Sequence, residues 1–290
     1  MYPPEFEYER AGSVDEAIEL LEANAGRDVE LLAGGHSLLP TLKSGLATPD
    51  LLIDIGGIGE LRGIESNGDS TAVGALTPYA DVESDDHLWE VSAVTAEAAS
   101  HIGDRQVRNA GTIGGNIAHA DPASDMPAGV LAADATVHAR GPGGDRAIAA
   151  DDFFEGMYGT ALEEDEILTA IEVPHLAAGG AGAYVKKPSP SSGYAIVGVA
   201  AAVETSGDTV ESARVAVNGA VDHAVRLTGV EDALVGESLT ESVIEDASSL
   251  AADDLDGANL MGDAQASEQF RVKLVDVYSR KALAEVASRL

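Results

Sequence analysis

Two short stretches hold the residue types best suited to binding chemistry. Residues 33–37 read Ala33-Gly34-Gly35-His36-Ser37, and residues 112–116 read Thr112-Ile113-Gly114-Gly115-Asn116. Each sets a glycine pair beside a hydroxyl. A glycine pair after a strand and before a helix offers backbone N–H groups with no Cβ in the way. Such a loop can wrap an anionic oxygen, and the helix N-terminus behind it adds positive potential. This is phosphate chemistry that needs neither lysine nor arginine. One doublet alone reads as a tight turn. Two, each with its hydroxyl, point to a diphosphate held between two subdomains.

Other chemistries fit the residues less well. His36, His119, Asp121 and Asp125 are of metal-ligating types, but the sequence spaces them without a helical i, i+4 repeat, and no metal is assigned. Ser37 after His36 lacks the G-x-S-x-G elbow of a hydrolase. No Gly-Lys-Ser/Thr follows a glycine at P-loop spacing. In "GGIGELRG" Gly57 and Gly59 match a dinucleotide fingerprint, but Arg62 stands at its third glycine position and Gly63 comes one residue late. That stretch reads as a turn. Arg105 and Arg108, just before the second loop, are candidates for a phosphate, a partner or surface ion pairs.

The charge is extreme: 17 basic residues against 50 acidic give a net charge of −33, and only 5 of the basic residues are lysine. The acids are spread between good apolar patterns, so this is no acidic tail. Self-repulsion on that scale opposes compaction unless salt screens it, which suggests adaptation to a salt-rich cytoplasm. It also argues against nucleic acid or an anionic membrane as a partner. There are no cysteines, hence no disulfides and no thiolate ligands for zinc or iron–sulfur clusters within this chain. The opening "MYPPEFEYER" has no apolar signal core. The longest apolar run, "YAIVGVAAAV", falls well short of the roughly 20 residues of a membrane span. A cytoplasmic, acidic protein is expected.

The elements that must position the loops follow from the pattern. "SVDEAIELLEANAG" opens with a capping box, Ser13 to Glu16, and carries Ala17, Ile18, Leu20 and Leu21 at helical spacing. "DVELLAGG" reads as a short buried strand, "SLLPTLKSG" as a helix and "DLLIDIGGI" as a second strand, so residues 1–57 form a small strand–helix unit. Residues 58–175 are mixed: a strand in "TAVGAL", helical periodicity through "DVESDDHLWEVSAVTAEAASHIG", a Gly-Pro-Gly-Gly turn between two strands, and a strand stopped by Pro174. The glycine-rich "HLAAGGAGA" marks a boundary. Residues 179–290 then read as two long strands joined by a Ser-Gly-Asp turn, followed by three helices. The last places Phe270, Leu274, Val277, Leu283, Val286 and Leu290 near one face.

These stretches, "AGGHSLLPTLKSG", "LIDIGGIGELRGI" and "RNAGTIGGNIAHADPASDMPAGVLAADA", resemble the FAD-binding subunit of the molybdenum hydroxylases, the family of the medium subunit of aerobic carbon monoxide dehydrogenase and of the xanthine dehydrogenase flavin domain. "DFFEGMYGTALEEDEILTAIEVP" and "GYAIVGVAAAV" extend the resemblance over nearly the whole chain. It implies an α+β architecture: a two-subdomain FAD-binding fold of the vanillyl-alcohol-oxidase type plus a C-terminal α+β domain, an antiparallel sheet with helices. It implies FAD as cofactor, its pyrophosphate held mainly by backbone N–H groups of Ala33, Gly34, Gly35, His36 and Ser37 and of Thr112, Ile113, Gly114, Gly115 and Asn116. Asp125 matches a position on the ribose or adenine side. Lys186 in "YVKKP" and Tyr194 in "GYA" match positions near the isoalloxazine. The family often carries further basic residues between those two, where "PSPSSG" stands here.

The implied function is electron transfer. The chain would take electrons from an iron–sulfur small subunit and pass them to a terminal acceptor, while a molybdenum-binding large subunit oxidises the substrate. None of its own residues is assigned a catalytic role. Carbon monoxide, aldehydes, purines and other heterocycles are all compatible substrates. Two further readings stand beside this one. A non-redox phosphoanion-binding module would purify without flavin colour. A stand-alone flavin oxidase would carry a covalent attachment residue, for which His36 is the candidate.

Overall fold

The computed structural model describes residues 2–290. Its N-terminal part alternates strand and helix: β1 (Glu7–Arg10), α1 (Val14–Ala23), β2 (Val29–Leu32), α2 (Leu38–Ser44) and β3 (Leu51–Asp54). The strands form a parallel sheet in the order β1-β3-β2. Ser13 caps α1 by accepting from the Glu16 N–H at 3.1 Å, while the Glu16 carboxylate reaches back to the Gly12 N–H rather than to that of Ser13. Ala17 and Ile18 face the core, together with Leu51 and Ile53 of the central strand. The expected buried strand β2 is instead the half-buried edge of the sheet, which leaves its C-terminal end free to present the first glycine loop. "GGIGELRG" forms a turn and one 3₁₀ turn, Gly59–Leu61.

The middle part opens with β4 (Ile64–Ser66) and β5 (Ser70–Gly74). Six short helices follow: α3 (Tyr79–Ser84), α4 (Asp86–Val91), α5 (Ala93–Ser100), α6 (Arg105–Arg108), α7 (Ile113–His119) and α8 (Asp125–Ala132). The stretch expected to be one helical pattern from 81 to 103 is broken by new caps. Asp85 accepts from the Leu88 N–H at 2.8 Å and starts α4, and Ser92 starts α5. Strands β6 (Thr136–Gly141), β7 (Gly144–Ala149), β8 (Phe154–Gly156), β9 (Gly159–Thr160) and β10 (Ile167–Pro174) complete this part. Its main sheet is antiparallel, in the order β4-β5-β10-β6-β7, and β8 and β9 make a separate small hairpin.

The C-terminal part is an antiparallel meander, β11 (Gly180–Pro188), β12 (Ala195–Ser206), β13 (Thr209–Asn218) and β14 (Val225–Arg226), followed by α9 (Thr228–Leu234), α10 (Glu241–Ser248) and α11 (Glu268–Arg289). Strand β12 is the long apolar run. It needs no polar face because both sides of its sheet are covered. Tyr184, Ala200 and Ala216 pack with the middle part, and the alternate residues Val199, Ala201, Val215 and Val217 pack under α9–α11.

The buried face of α11 differs from the one expected. Phe270, Val277 and Leu290 are exposed. The helix turns Arg271, Val275, Tyr278, Ser279, Ala282, Leu283 and Val286 inward instead. Arg271 is tolerated there because its guanidinium donates to the carbonyls of Ile196 and Gly219, both at 2.6 Å, and pairs with Asp263 at 2.7 Å.

Candidate functional site: a cleft between two glycine loops

The first loop leaves the end of β2 and the second starts α7. The two touch. A Cβ on Gly34 would overlap the Ala110 carbonyl and stand 2.8 Å from the Gly111 Cα. A Cβ on Gly114 would meet the Ala75 Cα and carbonyl oxygen, each at 2.7 Å. These glycines are therefore required by backbone packed on backbone, a reason additional to any ligand. Gly35 is required by conformation, since its φ of 69° lies in the left-handed region.

The backbone N–H groups of the two loops are in different states. In the second loop Ile113 donates to the Thr77 carbonyl at 3.1 Å and Gly114 to that of Ala75 at 2.8 Å. Gly115 donates to the Thr112 hydroxyl, its N-cap, at 3.2 Å, and Asn116 to the Thr112 carbonyl at 3.1 Å. In the first loop the N–H groups of Gly34, Gly35, His36 and Ser37 find no acceptor among the described residues. Four successive unpaired donors are costly unless water or a ligand takes them, and a run of N–H groups in a loop is an anion-binding concavity.

A cleft of about 560 Å³ opens along these loops, within the range of roughly 300–1,000 Å³ usual for ligand sites. Ala33, Gly34, Gly35, His36, Ser37, Thr112, Gly114, Gly115 and Asn116 all line it. Its walls add Val29 and Leu31 from one side and Ile167 and Leu168 from the other. Among the described residues lining it there is no lysine or arginine, while Glu30, Glu164 and Glu166 contribute carboxylates. Burial, reinforced by Asp28, pushes the Glu30 carboxyl up, and Arg146 holds that of Glu166 down. Any anion here is held by neutral donors.

The remaining expected site residues lie elsewhere. Ile113 is fully buried in the core beneath the loop. Asp125 and Lys186 do not line the cleft. They meet each other at 2.8 Å, with side chains only 5% and 6% exposed, where α8 packs on the sheet of β11–β13. The Lys186 ammonium also donates to the carbonyls of His101 and Gly193, which fills all three of its N–H positions. Tyr184 donates to the other Asp125 oxygen at 2.5 Å. Burial pushes the Asp125 carboxyl up to about 6, against the lowering pull of Lys186 and Tyr184. Tyr194 is half-exposed and faces Ser37 and Asp121, so the C-terminal part approaches the first loop there. Arg108 forms an ion pair with Glu83 at 2.7 Å.

The sequence pointed to neither Tyr79 nor Tyr158 among the lining residues, and to His119 only as a metal-ligating type. Tyr79 lies against Gly111, whose Cβ would stand 2.6 Å from its ring. His119 stacks at 5.1 Å on Tyr158, which sits at φ 57° on the tip of the β8–β9 hairpin. The Gly156–Gly159 bracket around Met157 and Tyr158 was the available sign of that tight tip. Among the described residues no three His, Cys, Asp or Glu side chains gather into a metal site.

Paired glycine loops over a cleft with free N–H donors, beside an antiparallel domain packed against the middle part, are the features of a dinucleotide-binding protein. Residues 4–176 match the FAD binding domain in molybdopterin dehydrogenase, and residues 182–286 match the CO dehydrogenase flavoprotein C-terminal domain. The chain belongs to this family. It is an FAD-binding medium subunit of the molybdenum hydroxylases, a flavoprotein component of an oxidoreductase. It is 42% identical to the carbon monoxide dehydrogenase medium chain of Hydrogenophaga pseudoflava, over 91% of this chain and 92% of that one. It is 38% identical to the glyceraldehyde dehydrogenase medium chain of Sulfolobus acidocaldarius, over 99% of this chain and 100% of that one. A solved structure of the Hydrogenophaga pseudoflava carbon monoxide dehydrogenase superposes with a TM-score of 0.95 at 39% identity, covering 100% of this chain and 99% of that one. The cleft suits FAD: the unpaired N–H groups suit a pyrophosphate, and the apolar walls suit a flat ring system.

Proposed function

We propose that this chain is the electron-transfer subunit of its complex. It receives electrons from an iron–sulfur small subunit and delivers them to a terminal acceptor, while a molybdenum-binding large subunit oxidises the substrate. Bound FAD supplies the redox chemistry. The protein's part is to hold it. Residues 1–57 and 58–175 form the two FAD-binding subdomains, and 179–290 the C-terminal domain. Gly34–Ser37 donate backbone N–H groups to the pyrophosphate. Thr112–Asn116 brace that loop, Thr112 by capping α7, and the Asn116 side chain lines the cleft beside it. Tyr194 stands beside the first loop, on the isoalloxazine side. Asp125 and Lys186 act from behind, by locking the two domains together.

The observation that carries this reading is the row of four unpaired N–H groups in a cleft without a cation. Two facts support the division of labour. The chain has no cysteine for an iron–sulfur relay. Relatives named for carbon monoxide and for glyceraldehyde share this subunit, so substrate choice belongs to another chain.

The test is an assay of the isolated, FAD-loaded chain with carbon monoxide, aldehydes and purines and an artificial dye as acceptor, repeated with the co-purified complex. Turnover is expected only in the complex. Robust turnover by the isolated chain would instead establish a stand-alone oxidase. No helix among the described residues is long and apolar enough to cross a membrane, and the excess of acid supports a salt-rich cytoplasm as the setting. A melting temperature that stays flat or falls as KCl rises to molar levels would remove that last inference.

A further inference from the structure

We propose that the outward face of α11 docks an acidic, apolar-studded surface of a partner subunit. Acids outnumber bases 50 to 17 in this chain, yet this face reverses the ratio. From Phe270 to Ala284 its exposed residues are Phe270, Lys273, Val277, Arg280, Lys281 and Ala284, with exposed Glu268 before them and Glu285, paired to Arg289, after them. The one acid between Gln269 and Ala284 is Asp276, and it is turned aside to accept from the Ala252 N–H at 3.2 Å. Phe270 and Val277 are 43% and 46% exposed and stand two turns apart, so they share a stripe with the cations between and after them. Phe270 and Val277 supply the apolar centre of such an interface, and the lysines around them, a residue type depleted from interface cores, form its charged rim.

The cations on this stripe are unequally used. Arg280 reaches Glu245 and Glu241 of α10 at 3.0 and 3.4 Å. Lys281 lies over the Tyr278 ring, 4.3 Å from its centre, and neither it nor Lys273 has a carboxylate partner among the described residues. At the N-terminal end of the stripe a second groove, about 410 Å³, is walled by Lys187, Pro190, Ile196 and Phe270. Lys187 is likewise without a carboxylate partner. Three of the chain's five lysines therefore border one apolar stripe with their charge unmatched, on a protein whose remaining surface is acidic. The complementary surface carries carboxylates around one or two apolar side chains, one of which fits the groove. The acidic remainder of the chain repels anionic lipid and nucleic acid.

This inference rests on the proposed assembly, and the experiment separates the two. Lysine acetylation is followed by mass spectrometry on the isolated chain and on the purified complex in the same salt. Lys187, Lys273 and Lys281 are expected to react several-fold more slowly in the complex, whereas equal rates for all three in both samples overturn the proposal while leaving the assembly intact. A chain that co-purifies with nothing overturns both. Protection that grows with the concentration of the isolated chain makes the occupant a second copy and also overturns it. The variant F270A/K273E/K281E, checked for unchanged melting and flavin content, is expected to lose partner subunits on gel filtration. Full retention of partners by that variant contradicts the proposal.

Discussion

The two glycine loops touch each other and share a residue signature, a glycine pair beside a hydroxyl, yet their backbones do different work. In the second loop every N–H from Ile113 to Asn116 already has a protein acceptor, and Gly114 is there so that the backbone can lie on Ala75. In the first, four N–H groups from Gly34 to Ser37 have none, and one of its glycines is there so that the loop can lie on Ala110 and Gly111. One loop is a platform and the other is the hand it holds up. A glycine pair thus marks close backbone approach, and the hydrogen-bond accounting decides whether the thing approached is a ligand or the protein itself.

The largest expected effect tests whether a cation has been overlooked. Lys186 is the cation that the family resemblance assigned to the cofactor's surroundings, but it is buried against Asp125. Lys186→Met leaves a carboxylate buried without its cation and is expected to cost about 3–5 kcal/mol at pH 8. The sign with pH follows from Asp125, whose folded pKa of about 6 lies above its ordinary 3.8. A carboxyl raised on folding favours the folded state at low pH, and that contribution is lost as pH rises through about 6. Once protonated, Asp125 no longer needs the ammonium, so the cost of Lys186→Met should shrink at pH 5. Urea unfolding at the two pH values measures this. The variant that remains folded should still bind FAD, and a flavin-free but fully stable Lys186→Met would break the comparison.

Gly34→Val comes next. Its branched side chain drives the loops apart against the Ala110 carbonyl, an overpacking expected to cost about 1–3 kcal/mol, and flavin should be lost on gel filtration. Thr112→Val is its gentler counterpart. It removes the cap of α7, worth about 1 kcal/mol, but leaves the first loop's donors in place. A lower melting temperature with FAD affinity within about threefold of wild type is expected, since a tenfold change needs about 1.4 kcal/mol. A Thr112→Val variant that melts like wild type yet binds FAD tenfold more weakly would move the donors to the second loop.

Much of this was legible in the residues. The loops declare themselves because glycine pairs are local features. The double-faced burial of β12 follows from an unbroken apolar run. What stayed hidden depends on distant segments. Asp125 and Lys186 are 61 residues apart and meet only when the domains dock. The inward face of α11 defeated apolar spacing because two of its members, Arg271 and Ser279, are polar, and Arg271 finds its carbonyl partners at Ile196 of β12 and at Gly219 just after β13. Tyr158 reaches the cleft from a hairpin whose strands are two and three residues long, too short to leave a periodic pattern. That the first loop's N–H groups are free and the second's are not could only be seen once Thr77 and Ala75 were in place beside them.

Amide hydrogen exchange with and without FAD tests the central claim most directly. In the flavin-free chain the N–H groups of Gly34, Gly35, His36 and Ser37 should exchange fast, and those of Ile113 to Asn116 slowly. Saturating FAD should slow the first set strongly and the second set little. First-loop amides that still exchange fast under saturating FAD, or protection gained only in the second loop, would contradict the account.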